Sequence, residues 1–101
     1  LELLMPAAAP AEPGVHSRAV VDPGAVVAPS AHVGPLVSIG PGSHVGPGAC
    51  LHAGVRIGAG VQIGAGTVLH QNVVVQDRCE IGASCILHPN VVIGADGFGY
   101  R

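Results

Sequence analysis

From Val15 onward an aliphatic side chain returns every six residues: Val15, Val21, Val27, Val33, Ile39, Val45, Leu51, Ile57, Ile63, Leu69, Val75, Ile81, Leu87 and Ile93. The residue after it is glycine in seven hexads, at positions 34, 40, 46, 58, 64, 82 and 94. The third and fourth places often read Pro-Gly or Ala-Gly, as at Pro23-Gly24, Pro41-Gly42, Pro47-Gly48, Ala59-Gly60 and Ala65-Gly66. Proline fixes φ for the first residue of a turn, and glycine tolerates positive φ at the second. Asn72, Asn90 and Asp96 occupy that fourth place where glycine is absent, and they suit the same left-handed conformation. The fifth place is small or β-branched: Ala19, Ala25, Ala31, Ser43, Ala49, Thr67, Cys79 and Cys85 among others. Each hexad therefore reads as one short strand followed by one corner.

A repeat of this kind predicts an all-β fold, a parallel β-helix. Three hexads form one triangular coil, so residues 18 apart stack. Fourteen hexads give nearly five coils, and strands ~4.8 Å apart would make the prism roughly 20–25 Å tall. First and fifth places face a narrow core. By analogy with known hexapeptide-repeat proteins the coil is expected to wind left-handed, against the usual crossover rule. The β-helix is assigned to residues 15–98. Residues 1–14, "LELLMPAAAPAEPG", read as the remnant of a preceding domain or linker, with any helix confined to 1–6. Residues 99–101 read as the start of a loop or a truncated end.

Glycine and proline at 16 and 9 residues in 101 would by themselves suit disorder, but the fixed period argues for order. Charged residues make up only 10% of the chain and the net charge is −2. That gives no basic patch for nucleic acid and no polybasic membrane segment. No apolar run reaches ~18 residues, so no membrane span is expected. No basic segment precedes an apolar block as in a signal peptide. The three cysteines are odd in number and lack C-x-x-C spacing, which fits packed thiols in a reducing, cytoplasmic setting. Cys79 and Cys85 fall on inward fifth places, whereas Cys50 falls on an outward sixth place.

"LHAG", "LHQN" and "LHPN" begin at 51, 69 and 87, so His52, His70 and His88 are 18 residues apart. The coil turns this spacing into a column on one prism face, whose second places read His16, Gly34, His52, His70 and His88. Asn72 and Asn90 stack beside it. Three uses stay open: an outward polar column covered by a neighbouring subunit, a catalytic or substrate-binding station, and a metal site. Zinc needs ligands that converge, and a straight ladder presents parallel rings. Hexapeptide carbonic anhydrases hold zinc with a histidine pair five residues apart, and no two histidines here have that spacing. No metal ligand and no cofactor is assigned.

The period breaks after Ile93-Gly94 at "ADGFGYR", which holds the chain's one Phe and one Tyr. This is either a loop leaving the coil or an aromatic loop bordering a ligand groove. "GVHSRAVVDPGAVV" at 14–27, "NVVV" at 72–75, "IG" at 81–82 and above all "VVIGADGFGY" at 91–100 resemble the UDP-3-O-acylglucosamine N-acyltransferases of lipid A synthesis. The hexads are shared by many acyltransferases; "IGADGFGY" is more specific. The resemblance implies a homotrimeric left-handed β-helix. Its partners would be an acyl carrier protein bearing a 3-hydroxyacyl group, and a UDP-sugar whose glucosamine amine accepts the chain. It points to Asp96, Phe98 and Tyr100 as substrate-binding residues. The family's catalytic base lies downstream in an Ala-His-Asn setting. The one Ala-His here, Ala31-His32, is followed by Val33 and does not match. The uracil-stacking aromatics of the upstream domain are not matched either, so no catalytic residue is carried over. The chain reads as a central piece of such an enzyme, expected to be inactive alone. Other hexapeptide acyltransferases and a non-catalytic scaffold are the alternatives.

Overall fold

The computed structural model describes residues 12–94. Every hexad in that range carries a two-residue strand made of its outward sixth-place residue and the inward aliphatic next to it. Three parallel sheets result. The first face holds β1 (Gly14–Val15), β4 (His32–Val33), β7 (Cys50–Leu51), β10 (Val68–Leu69) and β13 (Ile86–Leu87). The second holds β2 (Val20–Val21), β5 (Ser38–Ile39), β8 (Arg56–Ile57), β11 (Val74–Val75) and β14 (Val92–Ile93). The third holds β3 (Val26–Val27), β6 (His44–Val45), β9 (Gln62–Ile63) and β12 (Glu80–Ile81). Each strand pairs with the one three places on, in a register of 18: Leu51 faces Leu69, and Leu69 faces Leu87. The parallel β-helix is thus observed, its hexads fit left-handed winding, and the described residues contain no helix.

The core follows from the repeat. First-place Val33, Leu51 and Leu69 and fifth-place Ala31, Val37, Val55, Val61 and Val73 are fully buried. Burial of each Val or Leu contributes about 1.5–3 kcal/mol. Packing thins toward the ends of the described stretch. Val15 is half exposed, Ile81 and Leu87 are partly buried, and Cys85 is only half-buried where Cys79 is buried. The expectation of packed inward thiols therefore holds fully for Cys79 and only in part for Cys85, over which no described coil closes.

Two inward hydroxyls do more than fill space. Ser43 Oγ donates to the Gly58 carbonyl at 2.6 Å and accepts from Val61 N–H at 3.0 Å. Thr67 Oγ1 repeats this with the Gly82 carbonyl at 2.5 Å and Cys85 N–H at 3.2 Å. At other corners the corresponding amide and carbonyl bond directly, as Val55 N–H does to His52 at 3.3 Å. The hydroxyls are spliced into the corner of the next coil.

The corners depart from the simple glycine rule. Positive φ occurs at Asn72 and Asn90 as expected, and equally at Leu36, Arg78 and Ser84. Stacking explains these three. From Leu36 on, the fourth-place N–H reaches back to the corner of the coil before, to the Ser30 hydroxyl at Gly48 and otherwise to a carbonyl, as Arg78 does to Ala59 at 2.8 Å and Ser84 to Ala65 at 2.8 Å. The left-handed conformation is inherited from that bond even where a Cβ makes it costly by ~1 kcal/mol or more. The first three corners lack positive φ, even at Gly24, and close with internal bonds of 2.9 Å from Ala19, Ala25 and Ala31.

Glycine at the second place answers close coil contact. A Cβ on Gly64 would lie 2.5 Å from Ala83 N, and one on Gly40 2.8 Å from the Gly58 carbonyl. At Gly34, on the histidine edge, the nearest atom would be 3.1 Å away. That edge is the looser one, and it carries most of the large second-place side chains, with Asp22 and Gln76 on the next edge. Gly64→Ala is expected to lower stability by about 2–3 kcal/mol and Gly34→Ala by about 1 kcal/mol or less; urea unfolding of both variants measures the difference.

Candidate functional site

The edge after the first face brings the histidines together as the spacing requires. The His52 and His70 rings stack with centroids 5.1 Å apart and planes within 1°. His70 and His88 continue the stack at 6.3 Å and 6°. Backbone bonds set this pitch: His52 N–H donates to Leu69 O at 2.9 Å and His70 N–H to Leu87 O at 3.0 Å. Each histidine carbonyl accepts from the fifth-place amide ahead, from Val55, Val73 and Val91. The His52 and His70 rings are thus carried on a backbone fixed on both sides.

His32 joins the column although it sits at a sixth place rather than a second. Its ring lies 6.5 Å from His52, tilted by 55°. Its Nδ1 and the Glu12 carbonyl oxygen are 2.7 Å apart, which makes Nδ1–H the donor. The sequence signal was present: Gly34 leaves a rung empty, and His32 neighbours Cys50 in the strand register. Cys50 Sγ in turn lies 3.5 Å from His52 Nε2. Burial pushes the Cys50 thiol above its ordinary value, so the pair is thiol and imidazole rather than thiolate and imidazolium.

His52 is held below its ordinary value, first by burial and then by the charges that His70 and His32 would carry. Two imidazolium ions 5.1 Å apart repel by about 1 kcal/mol in water and about 3 kcal/mol at an effective dielectric near 20. Among the described residues no three His, Cys, Asp or Glu side chains converge on a point that would hold a metal. The rings stack with near-parallel planes, so the column offers a row of separate donors and acceptors.

A second feature lies one edge away, where the second face turns into the third. A shallow groove of about 500 Å³ is lined by Arg56, Val74, Gln76, Asp77 and Arg78 with Ile57, Gly58 and Val75 beneath. Asp77 Oδ1 is committed to Ala59 N–H at 2.9 Å, which leaves two guanidinium groups as the groove's chemistry. The 18-residue spacing does not reveal this groove, because arginines 22 residues apart meet only through a corner. Asp96, Phe98 and Tyr100, the residues singled out for substrate binding, lie outside the described residues, as does the suggested loop at 99–101.

Set beside known proteins, this geometry has clear relatives. The profile of the bacterial transferase hexapeptide (six repeats) family matches residues 37–71 and 60–95. The chain belongs to that family. The solved structure of an Arabidopsis UDP-N-acetylglucosamine acyltransferase is similar to it, with a TM-score of 0.77 and 29% identity over 85% of this chain and 31% of that one. The chain therefore spans about a third of that protein's length. A mutant of perosamine N-acetyltransferase from Caulobacter crescentus, in complex with CoA and GDP-perosamine, is 19% identical over 83% of this chain and 51% of that one, with a TM-score of 0.49. The acetyltransferase domain of PglB from Neisseria gonorrhoeae is 24% identical over 78% and 52%, with a TM-score of 0.46. No curated protein sequence matches significantly. The chain is a hexapeptide acyltransferase-like β-helix.

The column makes stability acid-sensitive. The unfolded chain protonates its histidines near their ordinary value of about 6.5, whereas folded His52 does so only at lower pH. Between those points the unfolded state binds more protons, so stability falls as pH falls. Melting temperatures measured from pH 8 down to pH 5.5 should decrease below about pH 6.5, and His52→Gln should flatten that decrease.

Proposed function

We propose that the chain is part of a UDP-3-O-acylglucosamine N-acyltransferase, moving a 3-hydroxyacyl group from acyl carrier protein to the glucosamine amine during lipid A synthesis. The observation that carries this reading is "IGADGFGY" at 93–100, set directly after thirteen unbroken hexads. Membership of a transferase hexapeptide family and the likeness to an acyltransferase of a UDP-sugar support it. Asp96, Phe98 and Tyr100 border the acceptor groove in this reading. The reaction needs a base to take the amine proton as nitrogen attacks the thioester carbonyl, and fixed donors for the oxyanion that forms. The base is supplied from outside 1–101. The working form is a cytoplasmic homotrimer. Free thiols at Cys50, Cys79 and Cys85 accord with a reducing compartment. Outward-facing Val20, Val26, Ile86 and Val92 offer apolar area for subunits to cover.

The Arabidopsis neighbour favours a second reading, an acyltransferase that takes UDP-N-acetylglucosamine. The two differ in the acceptor, since only UDP-3-O-acylglucosamine offers a free amine. Acyl transfer from 3-hydroxyacyl carrier protein should be measured by mass spectrometry with the natural gene product that carries this segment. An N-acylated product from UDP-3-O-acylglucosamine, with none from UDP-N-acetylglucosamine, is expected. The reverse would install the second reading, and residues 1–101 alone should give no turnover with either acceptor.

A further inference from the structure

We propose that the His52–His70–His88 column is a proton-linked anion site that takes a diphosphate. This site goes beyond the acyl-transfer reading and stands on the column itself.

Three rings repeat along one edge at 5.1 and 6.3 Å, on backbone whose first two rungs are bonded to the next coil, His52 N–H to Leu69 O and His70 N–H to Leu87 O. Charging adjacent rungs therefore costs repulsion that the ladder cannot relax. A counter-anion seated along the edge removes it. The surroundings supply no such counter-charge. On the edge itself the charged and titratable groups are His16, Arg18 and the three rungs. The first face contributes His32 and Cys50 at its outward places, and the second face contributes Arg56. None of these is a carboxylate. Among the described residues Asp22 and Asp77 lie on the next edge, Glu80 on the third face, and Glu12 precedes the first strand and meets His32 through its carbonyl. The charge on the rungs' own edge is thus cationic, with Glu12 the nearest carboxylate at the His32 end, and the amides of Asn72 and Asn90 on the same edge are additional donors.

A diphosphate suits this row better than a simple anion. Its charge sits on two linked phosphoryl groups, so one molecule can accept from two successive rungs, whereas chloride or a carboxylate reaches one. Binding and protonation are then reciprocal: the anion favours the charged imidazoles, and the charged imidazoles tighten the anion. Such a site is weak at alkaline pH and strong near pH 6.

Inorganic pyrophosphate tests this on the 101-residue chain, by calorimetry and thermal melting at pH 6.0 and 8.0. The expected result is at least tenfold tighter binding at pH 6.0, with the acid-induced drop in melting temperature reversed. His70→Gln, which breaks the row in the middle, should weaken binding at pH 6.0 at least tenfold. His44→Gln on the third face and Arg78→Gln in the arginine groove should leave it unchanged. Circular dichroism checks that each variant is folded, and His88→Gln at the less buried end serves if His70→Gln is not. Equal affinity at both pH values, loss of binding in Arg78→Gln, or an acid-induced drop that pyrophosphate does not reverse would each overturn the proposal.

Discussion

The backbone hydrogen bonding that pairs strands in an 18-residue register is the constraint on which the structure depends. Each strand has only two residues, too few to stand alone. Stability arises because every coil is bonded to the coils above and below, and because each bond fixes which side chains meet. Leu51 covers Leu69, and Leu69 covers Leu87, only at this register. A slip by one residue would turn the aliphatic column outward and the histidines inward. The same bonds force glycine at positions 40 and 64, where coils approach too closely for a Cβ. They also impose positive φ on Leu36, Arg78 and Ser84, which local preference would not choose.

Chemistry on such a scaffold is linear. A residue type repeated every 18 positions becomes a stripe, and the stripe's spacing is the strand spacing. His52, His70 and His88 carry the electrostatic consequence. The rings are held in a row, and at His52 burial and then the charges of His70 and His32 disfavour protonation. The site is thus a property of the repeat as much as of any single residue. It is distinct from the groove around Arg56 and Arg78, which needs a corner to assemble.

The period was legible because the core reports it directly: fourteen aliphatic residues at one spacing leave one architecture. From this the histidine column followed by arithmetic. Features that depend on three-dimensional fit were not legible. Ser43 and Thr67 looked like small core residues, and their roles as hydroxyl bridges depend on carbonyls 15 residues ahead. His32 stands at a different place in its hexad and joins the column only because Gly34 opens a rung. Cys85 was placed in the core by pattern, yet burial depends on whether another coil lies over it. Asp96, Phe98 and Tyr100 were marked by motif at the point where the period ends, and they lie outside the described residues.

Disulfide trapping tests the 18-residue register most directly. In a chain with Cys50, Cys79 and Cys85 replaced by serine, paired cysteine substitutions can be introduced along the histidine edge. Adjacent coils place Cα atoms ~4.8 Å apart, inside the range a disulfide spans, and alternate coils place them about 9.6 Å apart, outside it. Mild oxidation of the protein at low concentration, with thiol counting and mass spectrometry as the readout, should give an intramolecular bridge for His52→Cys with His70→Cys and none for His52→Cys with His88→Cys. Equal bridging of both pairs, or bridging of the distant pair alone, would contradict the stacked coil and the column built on it.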